Sequence, residues 1–204
     1  MLDALASSDV VGVARRLLGA VVTSELGGDR VSVRLTEVEA YAGVGEDPAS
    51  HAHRGRTPRN AVMFGPPGRA YLYFVYGMHW CLNVVTGSEG QASAVLLRAG
   101  EVVEGLDAAR SRRLASRRDN DLARGPACLA GALGITTVTA AAINGSDLGD
   151  ERSGLWLRPG VSVDLAAIAS SPRTGVREEA LGRPWRFYVN GDPTVSPYRQ
   201  GVDR

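Results

Sequence analysis

Two carboxylates two residues apart, Glu37 and Glu39, precede a tyrosine in the run Thr36-Glu37-Val38-Glu39-Ala40-Tyr41. In an extended chain, side chains two apart share a face, so Glu39 and Tyr41 stand about 7 Å apart unless a bulge intervenes. The same periodicity places them on the face that carries Val31, Val33 and Leu35. Carboxylates continuing an apolar face are costly unless they are paired or line a cleft, where they can serve as general bases. The plainer alternative is a strand end that leaves the core with both acids solvated. Arg98 closes the apolar run Val95-Leu96-Leu97 and needs an acid partner if buried, for which Glu39 is the natural choice.

Further groups could join them. His51-Ala52-His53 has the spacing of some metal pairs, and Glu39 would complete a three-ligand set; a two-histidine loop match has a high false-positive rate, and no metal is assigned. Asn83 lies among the apolar residues of Cys81-Leu82-Asn83-Val84-Val85, either satisfied by backbone or reading a ligand edge. Tyr71, Tyr73 and Tyr76 follow one another closely, as cross-strand filler or as an aromatic wall with Tyr41. In Tyr76-Gly77-Met78-His79 a bulky aromatic and a methionine flank the glycine of a tight turn, where polar residues are the rule. Such an apolar tip wants something to insert into, and proteins that open duplex DNA push such side chains between base steps.

These residues need elements to hold them. A helix capped by Ser8 or Asp9 is expected through Val10, Val13, Leu17 and Leu18, with Gly19 as its stop. Ala20 to Glu25 and Val31 to Tyr41 read as a hairpin, residues 43 to 69 as a long functional loop. Arg69 to Tyr76, His79 to Thr86 and Ala94 to Ala99 read as three adjacent strands. A helix is expected from Glu101 to about Ala115 and another from Pro126 to Leu133. Leu155 to Leu157, Val161 to Leu165 and Arg186 to Val189 read as short strands, the last two separated by a polar loop, Ser170 to Arg183. With no repeat or linker signal, the pattern specifies an α+β fold, one mixed domain over residues 1–204 with a curved, mostly antiparallel sheet flanked by helices.

Composition narrows the chemistry. With 204 residues, 44% hydrophobic and 22% charged, the chain can bury a sizeable core. All 23 basic Lys or Arg positions are arginine, which excludes lysine Schiff-base chemistry and a Walker-type lysine. Net charge is only +1, yet residues 51 to 118 carry ten arginines against four acids, a local excess that either meets a polyanion or, at 110 to 118 above all, is solvated and ion-paired on surface helices. Cys81 and Cys128 have no CxxC spacing and read as buried free thiols. The amino terminus lacks a charged signal region and no apolar run reaches the roughly 18 residues of a membrane span, so a bacterial-type cytosolic location is expected.

Several segments together resemble the alkyladenine (3-methyladenine, methylpurine) DNA glycosylase family: Glu37 to Tyr41, His51 with Arg56-Thr57-Pro58-Arg59-Asn60, Met63-Phe64, Pro67-Gly68, Tyr71-Leu72-Tyr73, Tyr76-Gly77-Met78, Cys81-Leu82-Asn83, and Val95 to Arg98 with Glu104-Gly105. The match is dense from 35 to 105 and continues through Gly125-Pro126, Asn144, Arg173-Thr174-Gly175-Val176 and Pro184 to Val189. The resemblance implies a monofunctional base-excision repair enzyme. It would flip alkylated or deaminated purines (3-methyladenine, 7-methylguanine, hypoxanthine, ethenoadenine) out of duplex DNA and hydrolyse the N-glycosidic bond without a cofactor. It implies that Glu39 activates water and Arg98 aligns it, that Tyr41, His51 and Tyr73 stack on the flipped base, and that Asn83 excludes guanine. By the same carry-over Tyr76 is the wedge with Met78 beside it, inserted on the protruding hairpin, and Arg56, Thr57, Thr174 and Gly175 meet the DNA. The loop before His51 is one residue longer than in mammalian members, so His53 is its alternative, and His79 stands where they carry an aromatic. The expected partner is double-stranded DNA containing damaged purines, with no membrane, no obligate protein partner, and a monomer as the simplest state. Two rivals remain: a catalytically silent DNA-binding module, and a metal-dependent hydrolase using His51, His53 and Glu39.

Overall fold

The computed structural model describes residues 2–177 and 180–201. After α1 (Leu2–Leu5) comes α2 (Val10–Leu17), whose amino end is capped by Asp9 accepting the Gly12 N–H at 2.9 Å. The strands are β1 (Val21–Ser24), β2 (Val31–Tyr41), β3 (Ala70–Val75), β4 (His79–Thr86), β5 (Ser93–Glu104), β6 (Leu155–Arg158), β7 (Ile168–Ser171) and β8 (Arg186–Val189). They form one sheet in the order β3-β4-β5-β2-β1-β6, with every pairing antiparallel, curled into a half-barrel. β8 pairs with the carboxyl-terminal half of β2 and carries β7 on its outer side. Helices α3 (Leu106–Arg112), α4 (Pro126–Ala132) and α5 (Thr137–Ile143) complete the α+β fold, with α4 on β4 and β5 and α2 on β2.

One face of the sheet is the core. Val31, Val33 and Leu35 of β2, Leu72 of β3, Leu82 and Val84 of β4, and Val95 and Leu97 of β5 are buried there with Leu17, Leu129 and Leu133 from the helices. The other face opens into a cavity, described below.

The alternation along β2 changes phase in mid-strand. Val31, Val33 and Leu35 face the core, but so do Val38, Ala40 and Ala42. The pairing shows why: Leu35 faces Gly100, Glu37 faces Ala99 and Val38 faces Leu97, so Thr36 is an extra residue on β2 and Arg98 an extra one on β5. A bulge of this kind re-aims the side chains that follow it. Here it turns Glu37, Glu39 and Tyr41 away from the face of Val31, Val33 and Leu35, where unbroken alternation would have put them. The Thr36 hydroxyl is tied to that of Thr194 at 2.7 Å.

Other expectations also need correction. The strand expected at Ala94 to Ala99 runs on to Glu104, because Val33 and Ser32 of β2 pair with Val102 and Glu104; the expected helix then shrinks to Leu106–Arg112, started by left-handed Gly105. Residues 161–164 are irregular, Leu165–Ala167 form a 3-10 turn, and the strand lies at Ile168–Ser171, where β8 supplies hydrogen-bond partners. Helices α1 and α5 were not anticipated; α5 opens on a capping box between Thr136 and Thr139, hidden in a β-branched run. Cys81 is buried and Cys128 half-buried, both as free thiols.

Candidate active site

The second face of the sheet floors a cavity of about 600 Å³. Alternate residues of four strands point into it: Glu39 and Tyr41 from β2, Leu96 and Arg98 from β5, Cys81 and Asn83 from β4, Tyr71 and Tyr73 from β3. His51, on the long loop after β2, and Thr174 and Gly175, on the loop after β7, form its rim, and Tyr76 reaches it from the hairpin. Its volume and its apolar, aromatic lining with few converging polar groups suit a small planar ligand.

Glu39 is fully buried. Its Oε1 accepts the Thr174 backbone N–H at 2.7 Å and lies 3.4 Å from Arg98 Nη1; its Oε2 accepts the Tyr41 hydroxyl at 2.8 Å. Burial, followed by the neighbouring Glu39 charge, pushes the Tyr41 phenol well above its usual value, which fixes it as the donor in that bond.

Behind this carboxylate is a second one, which the sequence reading did not give a role of its own. Glu37, also fully buried, accepts Arg98 Nε at 2.8 Å, Arg186 Nε at 2.6 Å, the Ser196 N–H at 2.7 Å and the Ser196 hydroxyl at 2.9 Å. Burial works to raise the Glu37 carboxyl, but the Arg98 and Arg186 guanidiniums and the Ser196 N–H outweigh it and hold it below the usual carboxylate range. Arg98 is therefore shared between two acids, hydrogen-bonded to Glu37 at 2.8 Å and 3.4 Å from Glu39, the partner that the sequence pointed to.

The aromatic walls are locked among themselves. His51 Nδ1 and the Tyr71 hydroxyl share a hydrogen bond at 2.9 Å, and the His51 ring meets Tyr73 edge-on with centroids 4.5 Å apart. Burial, then nearby Arg59, keeps the His51 imidazole below its usual value, so the ring is neutral at pH 7. Burial raises the Tyr71 hydroxyl to about 12 and the Tyr73 hydroxyl well above its usual range. Asn83 donates its amide to the Tyr71 carbonyl at 3.0 Å, which orients the side chain at the cavity floor.

The β3–β4 hairpin ends in a tip where Tyr76 is 82% and Met78 66% exposed. The chain reverses through Tyr76 and Gly77, at φ 54° and 68°, with the Met78 N–H returning to the Val75 carbonyl. Tyr76 is the one non-glycine residue of positive φ among the described residues, a conformation that costs an L-residue about 1–2 kcal/mol. The largely exposed ring gains little packing to offset that strain. Arg56 and Thr57 lie exposed on the long loop, outside the cavity lining. His53 is half-buried with its Nδ1 unpartnered and does not line the cavity. Among the described residues no three His, Cys, Asp or Glu side chains come together as a metal set, and no single helix is long and apolar enough to cross a membrane.

The site is braced by Arg173, which the resemblance includes without a role, and by Asp47, which no sequence feature singles out. Fully buried Arg173 grips Asp47 with two bonds of 2.6 and 2.7 Å and donates to the Ala40 carbonyl at 2.9 Å, one residue before the Thr174 N–H that holds Glu39. Their sequence signal was faint: an arginine beside a Thr-Gly turn and an aspartate in a loop.

The methylpurine-DNA glycosylase family model matches residues 4–193. A relative from Streptomyces avermitilis is 50% identical over 196 residues, covering 96% of this chain and 90% of its own length. One from Nocardia farcinica is 53% identical over 191 residues (92% and 86%), and one from Leifsonia xyli subsp. xyli is 52% identical over 202 residues (96% and 90%). All three are provisionally named 3-methyladenine DNA glycosylases.

Proposed function

The chain belongs to the methylpurine-DNA glycosylase family, and from that premise we propose that it is a monofunctional glycosylase of base-excision repair, turning alkylated or deaminated purines out of duplex DNA and cutting their N-glycosidic bond with water activated by Glu39. The observation that carries the reading is the placement of a fully buried carboxylate on the floor of an aromatic cavity beside an exposed apolar hairpin tip.

Each part has a task in this mechanism. Tyr76, with Met78 against the duplex, fills the gap left by the flipped nucleotide, and Arg56, Thr57, Thr174 and Gly175 meet the backbone. The base enters between Tyr41 and the His51–Tyr73 wall; stacking of this kind contributes about 1–3 kcal/mol and tolerates many base types. Asn83, fixed by its bond to Tyr71, crowds the position of a guanine 2-amino group. As the C–N bond stretches, the sugar becomes oxocarbenium-like and the electron pair leaves with the base. Glu39 stabilises the developing positive charge and takes a proton from the attacking water. Thr174 and Tyr41 each occupy one of its oxygens from a fixed direction, so little reorganisation is needed as charge develops. No lysine is present to form an imine with the abasic sugar, which supports an intact abasic strand as the product. The reaction calls for no metal or cofactor, and a monomer suffices for a lesion without symmetry.

The test is release of free base from alkylated and hypoxanthine-containing duplexes in the presence of EDTA, by the wild-type protein and by Glu39→Gln. Release by the wild type alone, with strands left intact, is the expected result. Binding without release by the wild type would favour a silent DNA-binding module, and dependence on added zinc would favour a metal hydrolase.

A further inference from the structure

Behind the stacking platform lies a buried ion pair with no task in the reaction as derived. Tyr41 lines the cavity and Arg173 does not, while the Arg173 guanidinium carbon sits 4.6 Å over the Tyr41 ring. Arg173 therefore covers the rear of the ring whose front receives the base. Its fork is closed by Asp47 at 2.6 and 2.7 Å, and Trp185 lies 5.4 Å off the guanidinium. Asp47 in turn accepts the Ala42 N–H at 3.2 Å and the Ala49 N–H at 3.1 Å. Both side chains have no exposed surface. Apolar residues of the same volume would hold two loops together at lower desolvation cost, so the charges themselves call for an explanation.

The base supplies one. Adding a stacking distance to the 4.6 Å behind the ring puts the flipped base about 8 Å from the guanidinium, where an uncompensated like charge in a protein interior disfavours binding by a factor of about 30. Purines methylated at N3 of adenine or N7 of guanine carry a positive charge, whereas hypoxanthine and ethenoadenine are neutral. We propose that the Asp47–Arg173 pair is a specificity-determining element, in which the arginine braces Tyr41 from behind and the aspartate cancels its field so that cationic bases are admitted alongside neutral ones. The inference rests on the glycosylase reading and extends it to a choice between classes of base.

The test compares single-turnover release, with enzyme in excess of DNA but below saturation, of 7-methylguanine and hypoxanthine from otherwise identical duplexes. Asp47→Asn leaves the guanidinium uncompensated and lowers the ratio of cationic to neutral release by about 10- to 30-fold. Arg173→Gln removes the positive charge behind the ring altogether, and the ratio does not fall. Both variants also lose the brace, so both absolute rates fall; only the ratio reports charge. Loss of packing, common to both variants, cannot lower the ratio in one and not in the other, and if one variant fails to fold the other alone still decides. A ratio unmoved in Asp47→Asn, or lowered in Arg173→Gln, would reduce the pair to a structural tie. Failure of the wild type to release either base would instead overturn the glycosylase reading itself.

Discussion

Arg98 gives its Nε to Glu37 at 2.8 Å and reaches Glu39 only through Nη1, at 3.4 Å. The arginine is thus anchored by one acid and lent to the other. Its charge lies beside Glu39, but its orientation is decided by Glu37, which Arg186 and Ser196 also hold.

Glu37→Gln should therefore impair catalysis without touching the cavity. With the charge gone and one neutral oxygen left to serve two guanidiniums, Arg98 shifts toward Glu39 and competes with water for it. Single-turnover base release is expected to fall about 10- to 100-fold. Loss of the shared counter-charge of two buried guanidiniums should also cost about 3 kcal/mol in a urea titration. Unchanged release in a destabilised variant would make Glu37 purely structural.

Tyr76→Asn should make the protein more stable and worse at its task. Asn-Gly is the preferred pair for a turn with two left-handed residues, and replacing a strained tyrosine relieves about 1 kcal/mol. The melting temperature should rise by a few degrees, while affinity for lesion-containing duplex drops for want of the wedge. A variant that binds as tightly as the wild type would show that the tip does not enter DNA.

Two buried carboxylates set the acid limit. Burial opposes the charged forms of Glu37 and Asp47, but Arg98 with Arg186, and Arg173, prevail and keep both groups below their ordinary values. Their contribution to stability is then fully present above the unfolded-state value of about 4 and is lost as pH falls through the lower folded-state values. Melting temperatures recorded between pH 7 and pH 3 should show this loss setting in near pH 4. A flat profile over that range would contradict the ion pairing described for both groups.

Asn83→Ser should relax selectivity. The shorter side chain gives up the bond to the Tyr71 carbonyl and opens room where a guanine 2-amino group would fall. Release of unmodified guanine, measured against hypoxanthine in one duplex, is expected to rise relative to the wild type. A constant ratio would move discrimination elsewhere in the cavity.

Much of this arrangement is legible in the sequence, and the exceptions have physical causes. The strands around Gly77 and the helix at Val10 follow local periodicity and caps, and they appear where expected. What a single strand cannot disclose is its partner. The extension of β5 to Glu104 and the position of β7 are decided by β2 and β8, far away in sequence. The same holds for the site: Glu39, Tyr41 and Arg98 stand out as polar residues in apolar strands, whereas Asp47 and Arg173, 126 residues apart, look unremarkable until the fold joins them. The alliance of Arg98 with Glu37 escaped because two acids in alternate positions are equivalent on paper. The bulge makes them different.

That bulge also makes the strand a reading frame. Core and cavity draw on opposite phases of one stretch of chain, and the single extra residue at Thr36 decides which phase Glu37, Glu39 and Tyr41 fall into. Removing Thr36 would deliver two carboxylates and a phenol to the interior and expose Val38 and Ala40 to the ligand. Genetic variation along Val31–Tyr41 should accordingly be lopsided: exchanges of one side chain for another can be absorbed singly, while the loss or gain of one codon trades the enzyme's inside for its working surface.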